Sequence, residues 1–277
     1  MGKTITQRSN LEGIVKAGEM IEVRQSSALT LHDRRVLNLL IRHAGEHIAD
    51  DREHAIPMRL LRSPAHKGGE RVRDSIERLM TTLVLVPTKD SRGKRATRRT
   101  ALLADTTTTD DEDNPQGEVR YSFSPTMRDI LRESQYWGRI KPLVMFAFTT
   151  KYALALYEAL CLRRNLTRNE EILSEHDFRE ILGVGQDKLK GYPQLKQSAL
   201  VPAIQEINTL SDFNVEVSPI REGGIQRGKL TGFWMHWKQK EPQEWDKVLT
   251  ELMRPRVGRK ARLRGTVEAV SPMLLVN

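Results

Sequence analysis

The chain has 277 residues and a formal net charge of +9, because 45 Lys and Arg stand against 36 Asp and Glu. That length suggests two domains, and the charge favours an anionic partner, most often a nucleic acid, over the alternative of a basic protein without one. The single Cys161 excludes a disulfide within the chain, and neither a membrane-spanning run nor a signal-peptide core in residues 1–10 is present, so we expect a cytoplasmic protein.

The first half of the chain predicts helices separated by short strands. Capping motifs at Thr30-Leu31-His32-Asp33 and Ser124-Pro125 mark the starts of two of these helices. In chain order, the patterns predict a helix from Thr30 to about Ala44, an apolar segment Ile56–Leu61, a helix from Glu70 to Thr81, a β-like run Leu83–Val86, a hairpin-like basic arm (Lys89, Arg92, Lys94, Arg95, Arg98, Arg99), an apolar run Ala101–Ala104 and a strand through Val119, Tyr121 and Phe123.

Three segments show no clear period and are expected to be poorly ordered: residues 1–25, 105–117 and those after about 254. The carboxylates of residues 105–117 lack the spacing of a calcium loop, which disfavours a metal site. The last segment is basic through Arg254, Arg256, Arg259, Lys260, Arg262 and Arg264. It is equally consistent with a solvated tail and with an arm that binds phosphate.

The second half predicts three helices and a hairpin. Thr150 can cap a helix to about Arg164, in which Cys161 is expected to be a small core residue. Ser174 opens a second helix that Gly183 ends, and a third runs from Gln194 to about Leu210. Pro202 should bend this third helix, because its ring clashes with a carbonyl one turn earlier. A strand through Val215 and Val217, a turn at Glu222-Gly223-Gly224 and a return strand through Phe233, Met235 and Trp237 then form the hairpin.

Helix, helix, basic helix and hairpin is the outline of a winged helix, a small domain that sets one helix in a DNA groove. The first half shows the same order, so the sequence predicts an α+β fold of two tandem winged-helix domains, helix-rich with small antiparallel wings. We place a flexible N-terminal arm at residues 1–27, the first domain at 28–140, the second at 141–245 and a basic C-terminal tail at 246–277.

Two motifs resemble those of the iteron-binding, theta-type plasmid replication initiators. They are Thr150 to Glu158 (TKYALALYE), and Leu200 to Asn208 (LVPAIQEIN) followed by Ser211-Asp212 and the hairpin. The resemblance implies that the second domain reads bases in repeated origin sequences, the iterons, whereas the first forms a homodimer and adds backbone contacts. It also implies repression of the protein's own promoter by the dimer, and opening of the origin with recruitment of the host initiator and replicative helicase in a bacterial cytoplasm.

The candidate DNA-binding residues follow from this outline. Lys196, Gln197 and Ser198 lie opposite the apolar stripe of the third helix, where Lys can reach guanine and Gln can pair with adenine. Family members often carry arginines there, and an ordinary solvated face is the alternative. Flanking phosphates would be met by Arg221, Arg227 and Lys229 on the wing and by Lys188 and Lys190 before the helix. Arg71, Arg73 and Arg78 of the first domain are weaker candidates, because Asp74 and Glu77 can pair with them.

Enzymatic alternatives are disfavoured by the motifs. Tyr152 and Tyr157 would suit a rolling-circle nickase, but such an enzyme needs a metal held by paired histidines, and the sequence has no His-x-His pair. No phosphate-binding loop of an ATPase occurs either. We therefore expect a non-enzymatic protein without cofactor or metal. A winged-helix transcriptional regulator remains the alternative, which differs in whether its DNA site can start replication.

Overall fold

The structure is a computed structural model that describes residues 3–7, 12–22, 24–25, 28–62, 72–110, 116–185, 187–224 and 228–263. One buried apolar cluster extends from Ile14 to Leu252 and passes through both halves of the chain. Small antiparallel sheets and the helices packed against them surround this cluster.

The first half consists of helices and seven short strands among the described residues. They are β1 (Ile14–Ala17), α1 (Gly18–Ile21), β2 (Arg24–Gln25), α2 (Leu31–Ala44), β3 (His54–Pro57), α3 (Val72–Thr81), β4 (Leu83–Lys89), β5 (Arg95–Ala101), β6 (Leu103–Thr108), β7 (Glu118–Phe123) and α4 (Pro125–Glu133). The strands form two sheets, in the orders β2-β4-β5 and β3-β7-β6. The β4–β5 hairpin is the wing of this half, because it is an antiparallel hairpin that follows α3 and has an exposed turn.

The predicted capping motifs mark the helix starts that the structure shows. The Thr30 hydroxyl accepts a hydrogen bond from the Asp33 backbone N–H, and the Asp33 carboxylate accepts one from Thr30 N–H in return. Ser124, Thr150 and Ser174 each accept one backbone N–H at the start of a helix. These starts were predictable because a cap needs only residues within one turn.

The second half follows with two short strands, the helices and the hairpin. It contains β8 (Trp137–Ile140), α5 (Pro142–Ala147), α6 (Lys151–Arg163), β9 (Glu170–Ser174), α7 (Glu175–Leu182), α8 (Tyr192–Leu195), α9 (Val201–Leu210), β10 (Phe213–Arg221), β11 (Leu230–Gln239), α10 (Pro242–Met253) and α11 (Arg259–Leu263). Strand β8 pairs with β1, whereas β10 and β11 form the predicted hairpin and β9 joins its outer edge in the order β10-β11-β9.

A π-helical turn, Lys196–Leu200, links α8 to α9. It lies immediately before Pro202, which has no N–H to donate and whose ring would clash with the carbonyl of Ser198 in a regular α-helix. A π turn widens the helix at this place, and such turns are a recognised origin of local distortion. The disturbance predicted for this helix therefore takes the form of a changed hydrogen-bond pattern.

The three segments expected to be poorly ordered contain regular structure. Within residues 1–25, all four residues of β1 are buried against β8, so the flexible-arm prediction for 1–27 is wrong there. Within residues 105–117, β6 pairs with β7, although residues 111–115 lie outside the described part. After Arg254, helix α11 packs near α9, and residues 264–277, including Arg264, lie outside the described part.

A buried carboxylate lies where α6 meets the first half. Glu158, only 1% exposed, accepts hydrogen bonds from the Lys16 ammonium at 3.0 Å, the Arg34 guanidinium at 3.3 Å and the Asn38 amide at 2.7 Å. Burial lowers the pKa of Lys16, and Arg34 lowers it further, whereas the charge of Glu158 acts in the opposite direction. Charged groups at this depth are tolerated only when they are paired in this way.

Helix α6 and the residues before it also form polar contacts with α9 and with the residues that follow α9. The Glu206 carboxylate of α9 accepts hydrogen bonds from the Thr149 N–H at 2.9 Å, from the Thr149 hydroxyl, and from the Thr150 N–H at 3.4 Å. The Tyr157 hydroxyl donates to the buried carboxylate of Asp212 at 3.3 Å. Helix α6 is therefore held by polar contacts on both of its sides.

Candidate nucleic-acid interface

The π-helical turn presents three polar side chains to solvent. Lys196, Gln197 and Ser198 are exposed, whereas Leu195 and Ala199 on either side of them are fully buried. The buried pair anchors the turn on the core. We name Lys196, Gln197 and Ser198 the reading turn.

A basic loop precedes the reading turn and is fixed by an arginine. The Arg179 guanidinium of α7 donates to the backbone carbonyls of Leu189 at 3.0 Å and Lys190 at 3.2 Å. Leu189 adopts a left-handed backbone with φ of 51° while its side chain packs on the core. Lys188 and Lys190 are thereby left exposed beside the start of the helix, and the surface contact of Lys190 with Asp187 at 3.4 Å is weak.

The wing of the second half is joined to the same helix start. The Arg221 guanidinium lies 5.1 Å from the ring centroid of Tyr192 and donates to the Gly228 carbonyl at 2.8 Å. Arg221 is therefore half-buried and holds the wing against α8, in addition to offering a charge. Lys229 is exposed, whereas Arg227 lies outside the described residues.

The candidates of α3 are engaged within the fold. Arg78 forms three hydrogen bonds of 2.8–3.0 Å with the Asp33 carboxylate. Burial would raise the pKa of Asp33, but the bonds from Arg78, Ser75 and Thr30 outweigh it and lower the pKa. Arg73 donates to the Asp110 carbonyl at 2.6 Å and to its carboxylate at 3.3 Å. Both arginines thus form ion pairs with aspartates outside α3.

Arg71 lies outside the described residues.

The β4–β5 wing carries a set of cations that we did not include among the candidate sites. Its side chains are exposed, and in the described part of the chain none of them forms an ion pair: Lys89, Arg92, Lys94, Arg95, Arg98 and Arg99. The acid of the turn, Asp90, is occupied by the backbone N–H groups of Arg92 and Lys94, both at 2.9 Å. We name these six residues the first-wing cations. The sequence predicted this basic run as a hairpin-like arm, and the pairing of β4 with β5 confirms the hairpin.

The tyrosines that could suggest nicking are not activated. Burial raises the pKa of both Tyr152 and Tyr157, so neither phenol is poised to ionise. Burial likewise raises the pKa of Cys161, which is 2% exposed. Within the described ranges, no group of three or more metal-ligating side chains occurs and no helix is long and apolar enough to cross a membrane.

Two units of helices with a projecting antiparallel hairpin follow each other along the chain, which defines a protein of two tandem winged-helix domains that binds DNA. The family model described as "Initiator Replication protein, WH1" matches residues 13–161, more than half of the chain. The model described as "Initiator Rep protein, WH2" matches residues 174–229. The chain therefore belongs to the plasmid replication initiator proteins. A search of curated proteins found no match.

Proposed function

We propose that this initiator binds repeated origin DNA by inserting the reading turn of the second domain into the major groove. The observation that carries the proposal is the position of the reading turn. Its three exposed residues follow a loop with the exposed Lys188 and Lys190, and Arg221 joins the wing to the same helix start. Base-reading groups flanked by cations are the arrangement in which phosphate contacts position a domain and side chains read sequence.

The two domains would then share one DNA repeat. In this mechanism the recognition helices occupy successive major grooves about one helical turn, roughly 10 bp, apart. The first-wing cations and Lys229 contact phosphates and make the affinity strongly dependent on salt. Lys196 favours guanine and Gln197 favours adenine at the positions they meet.

The further steps are proposed from family membership. The protein promotes opening of the origin, recruits the host initiator and the replicative helicase, and represses its own promoter as a homodimer in the bacterial cytoplasm. The residue ranges proposed for the two domains are 28–140 and 141–245; the segment 246–277, predicted as a basic tail, contains most of α10 and all of α11. The winged-helix transcriptional regulator binds DNA by the same surface and lacks only the ability to start replication.

One experiment separates the initiator from the regulator. A plasmid that carries only this gene and its flanking repeats should replicate in a bacterial host and should be lost when Lys196 and Gln197 are both changed to Ala. A plasmid that fails to replicate with the unchanged gene, while the purified protein still protects the repeats in a footprint, would support the regulator.

The reading turn is tested by footprinting the same double variant. Each good base contact that is lost should cost about 1–3 kcal/mol of binding free energy and relax the sequence preference. The matched control is Lys247→Ala on α10, an exposed lysine outside both wings. Unchanged affinity and unchanged sequence choice in the double variant would show that another element reads the bases.

A further inference from the structure

A cavity of about 710 Å³ is lined by residues from both halves of the chain. Its walls come from α2, β8, α5, the end of α6 and α10, and none of its lining residues belongs to the reading turn or to either wing. The volume falls within the range of roughly 300–1,000 Å³ that is usual for small-molecule sites. This volume is large enough for a ligand of nucleotide size and too small for a duplex.

The charge of the lining is positive. Four cations face the cavity, Arg42, Arg139, Lys141 and Arg164, against the single acid Glu12. Lys141 and Arg164 both pair with one buried carboxylate, that of Asp212, with Lys141 at 3.1 Å. Burial would raise the pKa of Asp212, but the two cations outweigh it and lower the pKa.

Within the described part of the chain, the exposed Arg42 has no ion-pair partner. Two positive charges therefore share one negative charge, and a further guanidinium stands beside them. Such a surplus, focused in a concave site, attracts an anionic ligand.

The lining also carries two indole rings. The Arg139 guanidinium lies 5.7 Å from the centroid of Trp137, and the Lys141 ammonium lies 4.1 Å from that of Trp245. A simple anion would not contact the aromatic rings, and a flat apolar ligand would not pair with the four cations. A ligand with a flat ring at one end and phosphate at the other matches both features, because bases stack on indoles and guanidinium groups bind phosphate.

We propose that this cavity binds a free nucleotide, a nucleoside di- or triphosphate. The base lies against an indole ring, and Arg42, Arg139 and Lys141 hold the phosphates. The site is separate from the origin-binding surface. It lies where α2 and α10 line the same space, so a bound nucleotide contacts both halves of the chain.

Calorimetric titration of the full chain tests the site. ADP and ATP should bind at one site per chain, whereas adenosine and tripolyphosphate should bind at least about tenfold more weakly, because each offers only half of the contacts. Arg42→Gln should weaken ADP binding about tenfold or more, as expected for a lost hydrogen bond to a charged group. Arg132→Gln on α4, an exposed arginine that does not line the cavity, is the matched control and should leave ADP binding unchanged.

Trp245→Leu provides a second variant that removes a ring instead of a charge, and it should weaken ADP more than tripolyphosphate. Binding of neither nucleotide would overturn the proposal. Equal binding of ADP by Arg42→Gln and the unchanged protein would also overturn it. The same holds if tripolyphosphate binds as tightly as ATP, or if only single-stranded oligonucleotides bind. Footprints of duplex repeats with the Arg42→Gln variant should be unchanged. Failure of nucleotide binding can therefore be distinguished from failure of DNA binding by the reading turn.

Discussion

Glu158 is the residue on which the contact of α6 with the first domain depends. Its carboxylate is almost completely buried and is the shared acceptor for Lys16, Arg34 and Asn38. Removing the acceptor would leave two buried cations without compensation, which costs far more than the pairing itself contributes. The cluster therefore makes the junction intolerant of single changes.

We expect Glu158→Ala to lower the free energy of unfolding by about 3–5 kcal/mol, the cost typical of breaking a buried ion pair. Denaturant unfolding followed by circular dichroism measures it. Glu216→Ala, at an exposed position of β10, is the matched control and should change stability by less than about 0.5 kcal/mol. A loss below about 1 kcal/mol in Glu158→Ala would mean that the buried cations find other partners.

His54 predicts a dependence of stability on pH. Burial is the main cause that lowers its pKa from 6.5 to about 4, with smaller contributions from the charges of Arg52 and His43. Between these two values the unfolded chain binds a proton that the folded chain does not, so stability should fall as the pH is lowered from about 6.5 to about 4.

Unfolding curves at several pH values should therefore show a shallower slope in His54→Gln than in the unchanged protein. His176→Gln, which alters an exposed histidine of α7, should retain the full slope. Identical slopes in all three proteins would assign the pH dependence to carboxylates instead.

The two wings differ at the level of the element. In the second wing, the Arg221 guanidinium contacts the Tyr192 ring and the Gly228 carbonyl, so it stabilises the fold and is less available to phosphate. In the first wing, the cations project from a ribbon whose turn is already closed by Asp90. The first wing is thus the element best suited to non-specific phosphate contact.

We expect Arg98→Ala combined with Arg99→Ala to reduce the steepness of salt dependence in DNA binding. Each lost phosphate contact lowers the slope of log affinity against log salt by about 0.9, so the pair should lower it by about 2. Arg132→Ala on α4, an exposed arginine that pairs with Asp129, is the control. A change in sequence preference without a change in slope would contradict a phosphate-binding role.

Local signals made the helices and the strands of the two hairpins predictable, whereas strands β1 and β9 were not. Capping residues such as Thr30 act within one turn, so the sequence alone placed the helix starts. Strands β1 and β9 were not predicted because each is only four or five residues long and pairs with a strand distant in the sequence. The Glu158 carboxylate that pairs with the buried Lys16 of β1 lies 142 positions away.

The candidate site was predictable to the same degree. The apolar stripe through Leu195 and Ala199 correctly placed the reading turn outside. The engagement of Arg78 by Asp33, 45 positions away, could not be read from the spacing of charges along α3. Which bases the reading turn contacts stays a prediction.

At the scale of the whole molecule, the basic C-terminal segment packs against the folded chain through ion pairs with α10. The Glu251 carboxylate of α10 pairs with Arg254, Arg259 and Arg262, and Arg259 is only 5% exposed. Burial would raise the pKa of Glu251, but the bonds and charges of these arginines lower it. Three arginines that were candidates for a free phosphate-binding arm are therefore used within the protein.

Ending the chain at residue 254 should lower the free energy of unfolding by about 1–3 kcal/mol, because Glu251 loses two partners and α11 leaves α9. Ending it at residue 263 keeps these contacts and serves as the control. Thermal unfolding of both proteins measures the difference. If both show the same stability, α11 contributes nothing to the fold, and the phosphate-arm interpretation regains weight.

The polar contacts on the two sides of α6 have a consequence for exchanging domains between related initiators. A crossover before α6, near residue 140, would place Glu158 and its three partners in different parents. A crossover after α6 would instead separate Thr149 and Tyr157 from Glu206 and Asp212. Neither joint keeps every buried polar pair with its native partner. Functional chimeras should therefore arise only between parents that share both sets, and origin specificity should be inherited together with the second domain.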